Sequence, residues 1–168
     1  RGATTSDADQ QAGRMANNVR PEYFSALGVP VLEGRTFTAD EARSGTAMIV
    51  NRAAAEHFWP DGGALGAEVK WGQNWSTVVG VVDNVLAGSL TRSTDTPQFY
   101  FPYGAAGGFT GGPQTQVLIV RASEDPAIAI AASRAAVKVI DPEVAVANVL
   151  LTETALANTI DTPRFNMA

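Results

Sequence analysis

His57 is the single histidine of the chain, and histidine is the side chain best suited to move a proton near neutral pH. As a general base it needs a nucleophile on one side and an orienting acid on the other. The sequence contains serines but no Gly-x-Ser-x-Gly turn to present one. As a metal ligand His57 needs partners at helical spacing. Glu56 is adjacent and points to another side of a helix, and neither His-x-x-x-His nor His-Glu-x-x-His can be formed. An amphipathic histidine near a helix end is the expected role.

The stretch EYFSALGVPVLEGRTF, residues 22–37, poses a second question. Gly28 and Gly34 with Arg35 suggest a phosphate-gripping loop. A P-loop needs four residues between its glycines and then Lys-Ser/Thr, and a dinucleotide turn needs Gly-x-Gly-x-x-Gly. Neither spacing is met. Gly28 is expected to end a helix and Gly34 to permit a turn.

Acids occur as Asp40-Glu41, Glu124-Asp125 and Asp83. Paired carboxylates can cleave glycosides or hold a cation. The first two pairs stand where helix N-termini attract negative charge, so capping is expected there. The aromatics Phe58, Trp59, Trp71, Trp75, Phe99, Tyr100, Phe101 and Tyr103 crowd the middle of the chain. Core and sheet packing is expected for most. Trp59, Trp71, Tyr100 and Tyr103 are the candidates for a partner or ligand surface. No cofactor or metal site is expected.

The totals narrow the classes further. Net charge is −5, and only Lys70 and Lys138 are lysines. The arginines are scattered singly, so no basic patch meets a nucleic acid backbone. With no cysteine, disulfides and thiolate chemistry are excluded. No apolar run reaches the roughly 18 residues that cross a bilayer. Opening at Arg1 and closing at Met167-Ala168, the chain is expected to be a segment of something longer.

The elements that must position these residues follow from caps and periodicity. Residues 1–18 are expected to be a flexible terminus. Pro21 starts a short helix with Tyr23, Phe24 and Leu27 on its buried side. Thr38 and Glu41 form a capping box. A strand at 47–50 leads to Asn51, which caps a helix through Phe58, and Pro60-Asp61-Gly62-Gly63 turns the chain. WSTVVGVVD, residues 75–83, is apolar on both faces and predicts a covered central strand. Gly80 within it predicts a close backbone approach or a bulge. Another short strand follows at 98–101, and the glycine-rich run 104–113 predicts a mobile loop.

Strands at 116–121 and 144–149 flank a helix from Asp125-Pro126 to Ile140, with a further helix from Thr152. Ile128, Ala132, Ala135 and Val139 would form that helix's buried stripe, with Arg134 and Lys138 outside it. The expectation is an α+β chain: a sheet-rich lobe with short helices, then a C-terminal βαβα unit with parallel strands.

The order of pieces resembles a known family. VRPEYFSALGVPVLEGRTFTADE, AMIVNRAAAEHFWPDGGALGAEV, WSTVVGVVDNV and PQFYFPY, then VLIVRASEDPAIAIAASRAAVKVIDPEVAVANV, resemble the extracytoplasmic core domain of MacB-like ABC transporter permeases, the FtsX-like or acidobacterial type, and TPRFNMA resembles the run that leads into their next membrane helix. The resemblance covers residues 19–168 and implies that the family's N-terminal portion is largely missing. It implies an inserted sheet-rich lobe at 19–114 and a membrane-proximal unit at 115–168. It also implies a non-catalytic domain on the outer face of a cell membrane, with Gly28, Gly34, Gly62 and Gly80 shaping turns. The implied partners are a cytoplasmic ATP-binding subunit that uses the ATP, a second permease copy, and a periplasmic or substrate protein. The alternative is a stand-alone extracytoplasmic module that binds a ligand or peptide.

Overall fold

The computed structural model describes residues 3–4, 16–71, 74–85, 96–104, 117–123, 125–147, 149 and 151. Local chemistry sets the helix ends. Helix α1 (Tyr23–Leu27) ends at Gly28 with φ 72°. There the Val29 N–H donates to Phe24 O at 2.9 Å and the Gly28 N–H to Ser25 O at 3.1 Å, closing carbonyls that the helix leaves open. Helix α2 (Ala39–Ser44) starts from Thr38, and its capping box with Glu41 is complete. Helix α3 (Arg52–Phe58) is capped by Asn51, whose side chain accepts from the Ala54 N–H. Gly62 turns the chain after it, donating to Trp59 O at 2.9 Å.

Among the described residues seven strands form one mixed sheet: β1 (Ala3–Thr4), β2 (Ala16–Val19), β3 (Val31–Gly34), β4 (Ala47–Asn51), β5 (Glu68–Trp71), β6 (Asn74–Val82) and β7 (Phe99–Pro102). The order is β1-β5-β6-β4-β7-β2, with β3 also paired to β6. β5 runs along the first half of β6 and β3 along its end, both antiparallel. β4 lies parallel to β6 on the other side. The fold is α+β with parallel pairs, as expected. Among the described residues those parallel pairs are β1–β5, β2–β7 and β4–β6, all N-terminal to the expected βαβα unit.

β1 and all of β2 but Val19 fall inside the segment expected to be a flexible terminus. ANNV, the sequence of β2, has no alternation to announce a strand. Its pairing is a backbone matter, set by β7 alongside it.

The central, doubly covered strand is β4 rather than β6, since all five β4 residues are buried. On one side Met48 and Val50 pack with Ala54, Val69, Val78, Phe99 and Phe101. On the other, Ala47 and Ile49 pack with Val19, Phe24, Phe37 and Tyr100. Burying each large side chain contributes about 1.5–3 kcal/mol. β6 begins in the open, with Trp75 50% exposed. Its alternation then slips: Met48 pairs with Val78 and Ile49 with Gly80, leaving Val79 over. One extra residue turns the strand's faces over. Val78 and Val81 therefore share one core and Val82 joins the other, where simple alternation had put Val79 and Val81 together.

Two compact units divide the chain, Arg1–Val85 with Ser93–Ile119, and Leu86–Arg92 with Val120–Ala168. In the second, helix α4 (Pro126–Ile140) has the expected Asp125 cap, accepting from the Ala127 N–H at 2.8 Å. The flanking segments differ from expectation: 117–121 and the described part of 144–149 carry no ladder. A strand requires a hydrogen-bonding neighbour, and apolar runs do not specify one. The α4 stripe also differs. Ile128 is 61% and Val139 85% exposed, while Ala129, Ile130, Ser133 and Val137 are partly covered. With apolar residues around most of its circumference, α4 has more than one side able to serve as its covered face. The helix expected from Thr152 and most of the loop expected at 104–113 lie outside the described residues.

Candidate interaction surface

The stretch 28–37 is built around a contact between backbones. Gly34 of β3 pairs with Gly80 of β6. A Cβ on Gly80 would overlap the Arg35 carbonyl oxygen, and one on Gly34, where φ is 69°, would overlap the Val79 carbonyl oxygen. The Arg35 N–H donates to that Val79 oxygen at 3.0 Å. These glycines bring two strands together and leave no cradle for a phosphate.

Arg35 then reaches α2. Its guanidinium donates to Glu41 Oε2 at 2.6 Å and Oε1 at 2.8 Å. Glu41 Oε2 also accepts from the Thr38 N–H and hydroxyl, each at 2.9 Å. The Arg35 hydrogen bond above all, with help from Thr38, pulls the Glu41 carboxyl from its ordinary range to about 2. Its folded value lies below its unfolded one. The resulting stability is thus complete above the ordinary carboxylate range and fades as pH falls toward about 2. Glu41→Gln is expected to cost about 1 kcal/mol at neutral pH, with cap and exposed pair together. Urea midpoints of the two proteins should converge as pH drops from about 5 toward 2.

Beside the glycine pair lies an open cleft of about 450 Å³, lined by Gly34, Arg35, Leu65, Gly66, Thr77 and Val79 among others. Val31, Leu32, Leu65 and Trp75 are 38–50% exposed. Among the described lining residues the polar side chains are Thr77 and the Arg35 guanidinium already held by Glu41. Its described side chains offer mainly apolar contact area.

The four aromatic candidates do not form one surface. Tyr100 is fully buried, its ring 4.9 Å from Phe24. Its hydroxyl donates to Gln98 Oε1, and burial raises its pKa. Tyr100 is therefore a core residue, correcting its place among the surface candidates: it lies on a strand covered on both faces. Half-buried Trp71 packs on Phe99 and Phe101 at 5.2 and 5.3 Å. Trp59 meets Phe58 at 6.0 Å. Tyr103 is 40% exposed, with the Arg20 guanidinium 5.3 Å above its ring. His57 is exposed and stands edge-on to Phe58 at 4.7 Å.

A family model described as the MacB-like periplasmic core domain matches residues 1–139. The chain belongs to this family. Among solved structures, this MacB-like domain is similar to the periplasmic region of MacB from Actinobacillus actinomycetemcomitans. They share 18% identity over 74% of this chain and 56% of that one, with a TM-score of 0.53. It is also similar to the extracellular domain of the ABC-type transporter YknZ from Gram-positive bacteria. There the identity is 26%, over 52% of this chain and 42% of that one, with a TM-score of 0.41. The chain thus spans about half the length of these two structures. No curated protein matches it.

One polar site of the MacB-like domain reaches further than its sequence signals. Asn51, 1% exposed, does more than cap α3. Its Oδ1 accepts from the Ala54 and Gln98 N–H groups, and its Nδ2 donates to Thr96 O, all at 2.9 Å. Asn84 Oδ1 accepts from the Ala53 N–H at 3.0 Å. Arg52 pairs with Asp83 at 3.0 Å, a partner that accounts for the acid at the end of β6. The first turn of α3 thereby fastens the exit of β6 and the entry of β7. Asn at a helix start signalled the cap; the bonds to residues 96 and 98 had no local signal.

Proposed function

We propose that this MacB-like domain is a non-catalytic extracytoplasmic part of an ABC transporter permease, passing on conformational change driven by ATP elsewhere. The match to the family over residues 1–139 carries the reading. The build of the sheet lobe supports it. β4 is buried on both faces, and the connections around β6 and β7 are tied to α3, a construction suited to moving as a body. In this reading the domain holds no cofactor, and a separate cytoplasmic subunit uses the ATP. A second permease copy completes the assembly, and the exposed apolar cleft of the sheet lobe meets a substrate or partner protein. Nitroxide labels on Arg43→Cys in the assembled permease test it. The distance between the two copies must change when the ATPase partner cycles through ATP.

A further inference from the structure

A second groove lies within the C-terminal unit, about 590 Å³ in volume, between α4 and the segment that follows it. That volume is in the range of small-molecule sites. Arg134 and Lys138 line one side, and Pro142, Val144 and Val146 are among the residues of the other. The two cations stand one helical turn apart, on the same side of α4. Among the described residues neither takes part in an ion pair. Among the described lining residues Glu143 is the one acid, beside two cations in a chain whose net charge is −5. Val144 and Val146 are 50% and 38% exposed, leaving apolar surface beside the charges.

Cations with no ion pair among the described residues, beside partly exposed valines, complement a molecule with both characters. We propose that this groove binds a single acyl chain with an anionic head, the head on Arg134 and Lys138 and the chain along Val144 and Val146. Charge-assisted hydrogen bonds fix the head, and removing the chain from water supplies the rest. The site is separate from the cleft of the sheet lobe and does not depend on the transport reading.

The test is an NMR titration of the purified 168-residue chain with dodecanoate below its micelle concentration, beside dodecanol and acetate. Dodecanoate should shift the amides of residues 134–146 and bind about tenfold more tightly than dodecanol. Added salt should erode that preference. Arg134→Gln with Lys138→Gln, both exposed helix positions that glutamine suits, should bring the preference below about twofold while leaving the rest of the spectrum in place. Equal binding of dodecanol would remove the role of the cations, and equal binding of acetate the role of the chain. Signals in this region that move with protein concentration alone would mean that a second copy covers the groove. Each of these three results overturns the proposal, as does the absence of any shift at these amides.

Discussion

Replacing Gly80 with alanine is expected to lower the unfolding free energy by about 3 kcal/mol, at the high end of overpacking costs. The new methyl would be driven into the Arg35 carbonyl oxygen. That oxygen is backbone, and its neighbouring N–H is already bonded to Val79 at 3.0 Å, so neither strand can yield without opening the β3–β6 ladder. Gly62→Ala separates this overlap from mere loss of conformational freedom. Gly62 has φ 84°, but a Cβ there meets nothing within 4 Å, so its cost should be about 1 kcal/mol. Denaturant unfolding of both variants checks the pair. Equal losses would mean that the strands do not meet as closely as described.

Asn51→Ala should cost about as much, roughly 3–4 kcal/mol, for a different reason. Alanine fits the space and removes every side-chain bond, keeping the backbone one to Gln98 O. The Gln98 N–H, the Thr96 carbonyl and the Ala54 N–H each lose a partner bonded at 2.9 Å. The Ala54 N–H is buried and the Gln98 N–H part-buried, so losing these bonds carries a desolvation cost. Asn84→Ala removes only the bond to the Ala53 N–H and should cost about 1 kcal/mol. Hydrogen exchange reports the mechanism. In Asn51→Ala the Ala54 and Gln98 amides should exchange much faster than those of β4. Continued protection of both amides would show that the side chain does not hold them.

What the sequence revealed was what chemistry fixes within a few residues. Thr38 with Glu41, Asn51 and Asp125 each marked a helix start correctly, because a side-chain acceptor three residues or fewer from a free amide is a local fact. Gly28 marked a helix end for the same reason. Gly80 predicts a bulge or a close approach; it makes the close approach, and the bulge falls on Val79 beside it. Pairing was less legible. Glu68–Trp71 drew no attention, yet forms a ladder along β6, while apolar 117–121 has none among the described residues. Strand partners are chosen by tertiary packing rather than by the strand's own residues. Tyr100 was misplaced likewise: an aromatic on a short strand reads the same whether one face is covered or both. The candidate cleft depends on which half of β6 is left bare, and no periodicity in WSTVVGVVD distinguishes its halves.

The decisive measurement is the distance between nitroxides on Arg43→Cys in two copies of the full permease, joined to its ATPase and followed with and without ATP. Arg43 lies exposed at the end of α2, its own partner being Asp40 one turn away, so the label should disturb little. A domain driven from the membrane should show a distance that shifts by several ångströms with ATP, and that stays fixed when the ATPase cannot hydrolyse it. An unchanged distance during active ATP turnover would contradict the account.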